Sequence, residues 1–204
     1  MKIKVCGLKD PDNIKAVTAL SPDYMGFICY DGTPRFIGEL PADALNSLTQ
    51  YKTGVFVNEE KETIEQLINQ YSFNAIQLHG NESADFCKAL KDKIKVIKAF
   101  GVHENFDFEQ LNAYQDSVDY FLFDTKTVLH GGSGNTFNWD VLQKYNLNVP
   151  FFLSGGLSLD NIEQVSHIKH PMFYGVDLNS RFETEPGIKD IALLQKAFNL
   201  IRKQ

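Results

Sequence analysis

Gly54-Val55-Phe56-Val57, then Glu60–Tyr71, then Ala75-Ile76-Gln77-Leu78 is the stretch from which the architecture can be read. The two outer runs are short and almost wholly apolar, as strands buried on both faces are. Between them Ile64, Leu67 and Ile68 recur at helical spacing, so the middle is an amphipathic helix. Strands joined through such a helix lie parallel, because a tight turn cannot return the chain to the same end of a sheet.

The same alternation continues in both directions. Upstream lie Ile3–Cys6, a helix opened by Asp10 as N-cap with Pro11 at its first position, then Tyr24–Cys29 and a helix over Pro41–Gln50. Downstream, a helix over Glu82–Leu90 leads to Val96–Phe100, and one over Phe106–Tyr114 leads to Tyr120–Phe123. A helix near Asn138–Tyr145 follows, then strands at Pro150–Leu153 and Met172–Val176, and a final helix over Ile188–Ile201. Eight strand–helix units with right-handed crossovers predict a closed (β/α)8, or TIM, barrel, one domain spanning 1–204. A doubly wound open sheet is the competitor. It places a phosphate loop after its first strand, and Cys6-Gly7-Leu8-Lys9 lacks the GxGxxG pattern.

The 204 residues suffice for one sizeable core but not for two. A formal net charge of -6 advertises no surface for nucleic acid, and no apolar run approaches membrane-spanning length, so neither partner is expected. With no apolar signal core at the start, a cytoplasmic location is expected. Cys6, Cys29 and Cys87 are too scattered for a disulfide scaffold. The histidines form no HExxH motif, and His167 with His170 lacks a third ligand, so no metal is expected.

In such barrels the chemistry sits at the C-terminal ends of the strands. Collected there are Cys6, Arg35, Gln77, His79, Asp124, Ser154-Gly155-Gly156 and Asp177–Arg181. Asp124 ends an apolar strand and enters a glycine-rich loop, Gly131–Gly134, read as a lid; this suits a catalytic acid better than a helix cap. Cys6 shares a strand face with Lys4, whose lumenal ammonium would need a carboxylate. Asp177 on the neighbouring eighth strand is the candidate, and the ammonium would favour the Cys6 thiolate. Gly155-Gly156 after strand seven and Asn179-Ser180 after strand eight are expected to grip a phosphate through backbone N–H groups. Arg35 could pair with a substrate carboxylate.

Taken in order, Lys4-Val5-Cys6-Gly7, Pro34-Arg35, Gly54-Val55-Phe56-Val57-Asn58, Gln77-Leu78-His79-Gly80, Asp124-Thr125-Lys126, Gly131-Gly132-Ser133-Gly134, Leu153-Ser154-Gly155-Gly156-Leu157 and Pro186-Gly187-Ile188-Lys189-Asp190 resemble the phosphoribosylanthranilate isomerases of tryptophan biosynthesis. The resemblance implies an Amadori rearrangement of a phosphorylated small molecule without metal or cofactor, by a monomer or homodimer. It makes Asp124 the general acid that opens the ribose ring and Cys6 the general base at carbon 2. It assigns Arg35 to the anthranilate carboxylate, the glycine turns with Asn179 and Ser180 to the phosphate, and a substrate contact to His79. Two positions depart from the family pattern. Arg181 stands where a glycine is common and is expected to add charge to the phosphate end, and Asn138 stands where aspartate is common, as a helix cap. The histidine-pathway sugar isomerase and a catalytically silent phosphate-binding barrel are the alternatives; the former carries aspartate where Cys6 stands.

Overall fold

The computed structural model describes residues 1–38, 40–125 and 139–203. The loop Gly131–Gly134, Lys126 and Asn138 lie outside the described residues, and with them the expected lid and cap.

Eight parallel strands close on themselves in chain order: β1 (Lys2–Val5), β2 (Tyr24–Ile28), β3 (Tyr51–Phe56), β4 (Ala75–Leu78), β5 (Lys95–Val102), β6 (Tyr120–Thr125), β7 (Phe151–Ser154) and β8 (Phe173–Leu178). The ring is completed by β1 pairing with β8, Lys4 opposite Asp177. Among the described residues four α-helices coat the outside: α1 (Pro11–Ala19), α2 (Lys61–Tyr71), α3 (Ala84–Lys91) and α4 (Ile191–Arg202). Each of three starts on a side-chain cap: Asp10 accepts from Asn13 N at 2.7 Å, Ser83 from Phe86 N at 3.2 Å, and Asp190 from Leu193 N at 3.0 Å.

The remaining expected helices are corrected. Pro41–Gln50 contains only a 3₁₀ turn at Ala42–Leu45, Phe106–Tyr114 one at Phe108–Tyr114, and Asn138–Tyr145 one at Trp139–Lys144. Another 3₁₀ turn, Ile162–His167, crosses from β7 to β8. A 3₁₀ turn rises about 2.0 Å per residue against 1.5 Å in an α-helix, so few residues can traverse the barrel wall. Asn46 and Ser47 also favour local side-chain bonds over a continuing helix.

Side chains alternate between two cores. Ile3, Val5, Phe27, Phe56, Ile76, Leu78, Phe121, Phe123, Phe151 and Leu153 face outward, into the layer beneath the helices. The lumen holds Tyr24, Ile97, Ala99, Leu122 and Phe152, with Tyr120 and Tyr174 packed against them. The β7–β8 register shifts between Phe151 and Phe152, whose partners are Phe173 and Gly175. That extra residue breaks the parity of β8, and Tyr174 joins the lumenal cluster while Val176 and Leu178 pack outward. Asp177, between those two, is thereby turned inward opposite Lys4.

The Ile188–Ile201 helix starts late, at Ile191, because a hairpin precedes it. Strands β9 (Glu183–Glu185) and β10 (Ile188–Lys189) pair antiparallel across Pro186-Gly187.

Candidate active site

At the C-terminal mouth of the barrel lies a cavity of about 170 Å³, lined by Cys6, Gln77, His79, Asp124, Asp177, the Ser154–Leu157 turn and Asn179–Arg181, with Ile28 and Val55 as apolar walls. Cys6 and Asp124 come from β1 and β6, far apart in sequence, yet share this one space. Of the expected site residues, Cys6, His79, Asp124, Gly155, Gly156, Asn179, Ser180 and Arg181 all line it.

Cys6 continues β1, its N–H donating to Leu178 O at 2.9 Å, and its residue is only 3% exposed. Beneath it Lys4 Nζ donates to Asp177 Oδ2 at 2.8 Å, with the lysine side chain fully buried. The lumenal Lys4–Asp177 pair is therefore present. Burial works against the Lys4 ammonium, but Asp177 and Cys6 outweigh it and hold its pKa above the ordinary lysine value. The expected pull of the Lys4 ammonium toward the Cys6 thiolate is present, but burial opposes it. Burial pushes the thiol pKa up, and the opposing pull of Lys4 and Lys189 does not reverse it. At this depth desolvation of sulfur exceeds the attraction of its cations.

Asp124 ends β6, its side chain a quarter exposed to the cavity. His79 Nε2 stands 3.6 Å from Asp124 Oδ2. Behind it, His79 Nδ1 lies 2.8 Å from Gln77 Nε2. With the Gln77 amide nitrogen donating to Nδ1, Nε2 is the ring nitrogen turned toward Asp124.

Gly155 and Gly156 take φ of 91° and 66°, the left-handed region that glycine enters freely. Their turn is pinned from outside: Asn161 Nδ2 donates to Gly156 O at 3.0 Å and Ser158 N donates to Asn161 Oδ1 at 2.9 Å. A side chain on Gly156 would meet open space, so the backbone borders room that a ligand can fill.

Arg35 is placed differently from the others, beside the mouth rather than in its lining. Its Nε donates to both Glu183 oxygens at 3.0 Å and its Nη2 to Oε2 at 2.6 Å. Glu183 also takes Lys189 Nζ at 2.6 Å, and the same ammonium donates to Asn179 Oδ1 at 2.7 Å. The β9–β10 hairpin thus orients both Arg35 and Asn179, and sequence reasoning missed it. Its signal was the Pro186-Gly187 turn between two short polar–apolar stretches. Gly7 completes the junction: at φ 79°, a Cβ there would lie 2.7 Å from Asn179 Oδ1 and 3.0 Å from Arg35 Cδ.

Among the described residues no three His, Cys, Asp or Glu side chains converge as a metal site. His170 is structural: Met172 N donates to its Nδ1 at 3.1 Å, and its Nε2 reaches Tyr145 O at 2.9 Å. No described helix is long and apolar enough to cross a membrane.

Residues 3–200 match the family model of N-(5'-phosphoribosyl)anthranilate (PRA) isomerase. A curated relative with that name from Parabacteroides distasonis is 44% identical over 200 residues, covering 96% of this chain and 90% of its own length. The phosphoribosyl anthranilate isomerase structure from Thermotoga maritima superposes with a TM-score of 0.86 at 31% identity, all of both chains being covered. A second solved isomerase, in complex with reduced 1-(o-carboxyphenylamino)-1-deoxyribulose 5-phosphate, gives 0.85 at 27% identity, again over the whole of both chains.

Proposed function

The chain belongs to the N-(5'-phosphoribosyl)anthranilate isomerase family, and from that premise we propose that Asp124 and Cys6 are the acid and the base of its reaction. It is an isomerase of tryptophan biosynthesis, converting N-(5-phosphoribosyl)anthranilate to 1-(2-carboxyphenylamino)-1-deoxyribulose 5-phosphate by an Amadori rearrangement. Family membership decides against the histidine-pathway isomerase and the silent barrel.

The observation that carries the assignment is the shared cavity: a carboxyl group and a thiol open onto one space that is also walled by the Gly155-Gly156 turn and by Asn179–Arg181. Asp124 gives its proton to the furanose oxygen as the bond to carbon 1 breaks, and the nitrogen lone pair forms the Schiff base. Cys6, as thiolate, then takes the proton from carbon 2. The C–H electron pair becomes the carbon–carbon double bond of the enolamine and neutralises the iminium nitrogen. Tautomerisation gives the ketone. Each positioned acid or base contributes about 10²–10⁴-fold.

The phosphate is assigned to Gly155, Gly156, Asn179 and Ser180, with Arg181 supplying a cation in a chain of net charge -6. His79 contacts the sugar beside Asp124. Arg35 takes the anthranilate carboxylate; Glu183 fixes the guanidinium plane through Nε and Nη2, and five N–H donors leave an edge for a second carboxylate. The single barrel domain acts in the cytoplasm, as a monomer or as a homodimer like the dimeric Thermotoga maritima relative.

Steady-state turnover of N-(5-phosphoribosyl)anthranilate tests the phosphate assignment through Arg181→Gly. Loss of one exposed charge-assisted contact is expected to raise KM by roughly tenfold, the equivalent of about 1.4 kcal/mol, at nearly constant kcat. A marked fall in KM would show instead that the arginine obstructs the phosphate.

A further inference from the structure

Two buried polar atoms on the cavity wall have no hydrogen-bond partner among the described residues: Asp177 Oδ1 and Gln77 Oε1. Both are acceptors. An unpaired buried acceptor is costly, so such groups are retained where something outside the apo protein satisfies them. The aspartate is the more informative of the two. Its other oxygen is pinned by Lys4 at 2.8 Å, the residue is 5% exposed, and the bulge in β8 turns it into the lumen. It cannot swing away to find water without breaking a buried ion pair. Cys6 and Asp177 line the same cavity, and Asp177 pairs with Lys4, two residues before Cys6 on the adjoining strand.

What is missing at this floor is a hydrogen-bond donor, and the ring-opened sugar supplies hydroxyl groups. If Cys6 faces carbon 2 to remove its proton, the substituent nearest the neighbour of Cys6 is the hydroxyl on that same carbon. We propose that Asp177 Oδ1 accepts a hydrogen bond from the substrate 2-hydroxyl and so holds carbon 2 against Cys6. This rests on the reading of Cys6 as the base at carbon 2. Asp177 is on this account a substrate-positioning residue, fixed in turn by Lys4; it need not gain or lose a proton. The bulge that reorients β8 then has a chemical purpose, since regular alternation from Tyr174 would leave Asp177 outside the barrel.

A binding cycle tests this apart from catalysis. The probes are reduced 1-(o-carboxyphenylamino)-1-deoxyribulose 5-phosphate and its counterparts lacking the 2-hydroxyl or the 3-hydroxyl, titrated by calorimetry into wild type and Asp177→Asn. Loss of the 2-hydroxyl is expected to weaken wild-type binding about tenfold or more, as for a hydrogen bond to a charged acceptor. The same loss should cost the variant clearly less, because an amide can still meet the hydroxyl but only as a neutral partner. Should the lone Lys4 ammonium prevent Asp177→Asn from folding, Lys4→Met/Asp177→Asn removes both charges and carries the same cycle. An equal 2-hydroxyl penalty in wild type and variant, or a penalty confined to the 3-hydroxyl, overturns the proposal. Failure of the underlying reading looks different: Cys6→Ser would then turn over substrate normally while the 2-hydroxyl coupling stayed intact.

Discussion

Asp124→Asn is expected to lower kcat by about 10²–10⁴-fold while leaving affinity for the reduced product analogue within a few-fold of wild type. The amide matches the carboxyl in shape but has no proton of suitable acidity to give the departing ring oxygen. Among the described residues, nothing in the fold depends on the charge. The backbone of Asp124 stays in the ladder opposite Gly101 and Ser154, and among the described residues its side chain approaches His79 at 3.6 Å at the open mouth. A loss confined to kcat is the signature of an interaction made only in the transition state. Stopped-flow turnover beside calorimetric titration separates the two quantities. A variant with wild-type kcat would remove Asp124 from the chemistry, and one that loses analogue binding in proportion would make it a binding residue.

Cys6→Ser is expected to cost kcat about as much, in the range 10²–10⁴-fold, because a serine hydroxyl is a far weaker acid and yields almost no anion to act as base. The wild-type enzyme also carries a signature in pH. The folded thiol sits above the ordinary cysteine value, chiefly through burial. Its thiolate fraction at neutral pH is therefore smaller than that of an exposed cysteine, and it grows only as pH climbs past the ordinary range. Alkylation of Cys6 by iodoacetamide, followed on its own peptide by mass spectrometry, should be slow at neutral pH and accelerate at alkaline pH. A thiol that alkylates fast near pH 6 would mean that Lys4 and Lys189 prevail over desolvation. Against that burial, and against the negative charge a substrate phosphate and carboxylate add, the Lys4 and Lys189 ammonium groups pull the thiol toward its anion.

Much of this was legible in one dimension. Strands announce themselves when both faces are buried, so Ala75–Leu78 was found to the residue and the others within a few. The position of Cys6 and Asp124 at strand ends followed from that, and the parity of Lys4 and Cys6 on β1 pointed to a lumenal ion pair. Three things were not legible, for different physical reasons. Alternation along β8 is interrupted by a bulge that depends on pairing with β7, which no local pattern records. The connections that became 3₁₀ turns carry helical composition, but the distance they must span is set by the barrel. The ionisation of Cys6 is a contest between burial and charge, and sequence names the charges without the depth. The Glu183–Lys189 hairpin belongs to a fourth kind: its Pro-Gly turn was visible, yet its role in holding Arg35 and Asn179 exists only once strand eight and the loop after strand two are folded side by side.

The central claim is that Cys6 and Asp124 attack one sugar from two sides of one cavity. A crystal structure of this chain with reduced 1-(o-carboxyphenylamino)-1-deoxyribulose 5-phosphate tests it most directly. The account predicts Cys6 Sγ in van der Waals contact with carbon 2, the Asp124 carboxyl at the hydroxyl derived from the ring oxygen, and the phosphate between Gly155-Gly156 and Asn179–Arg181. A sugar bound with carbon 2 away from Cys6, or with its phosphate at the Arg35 end, would contradict it.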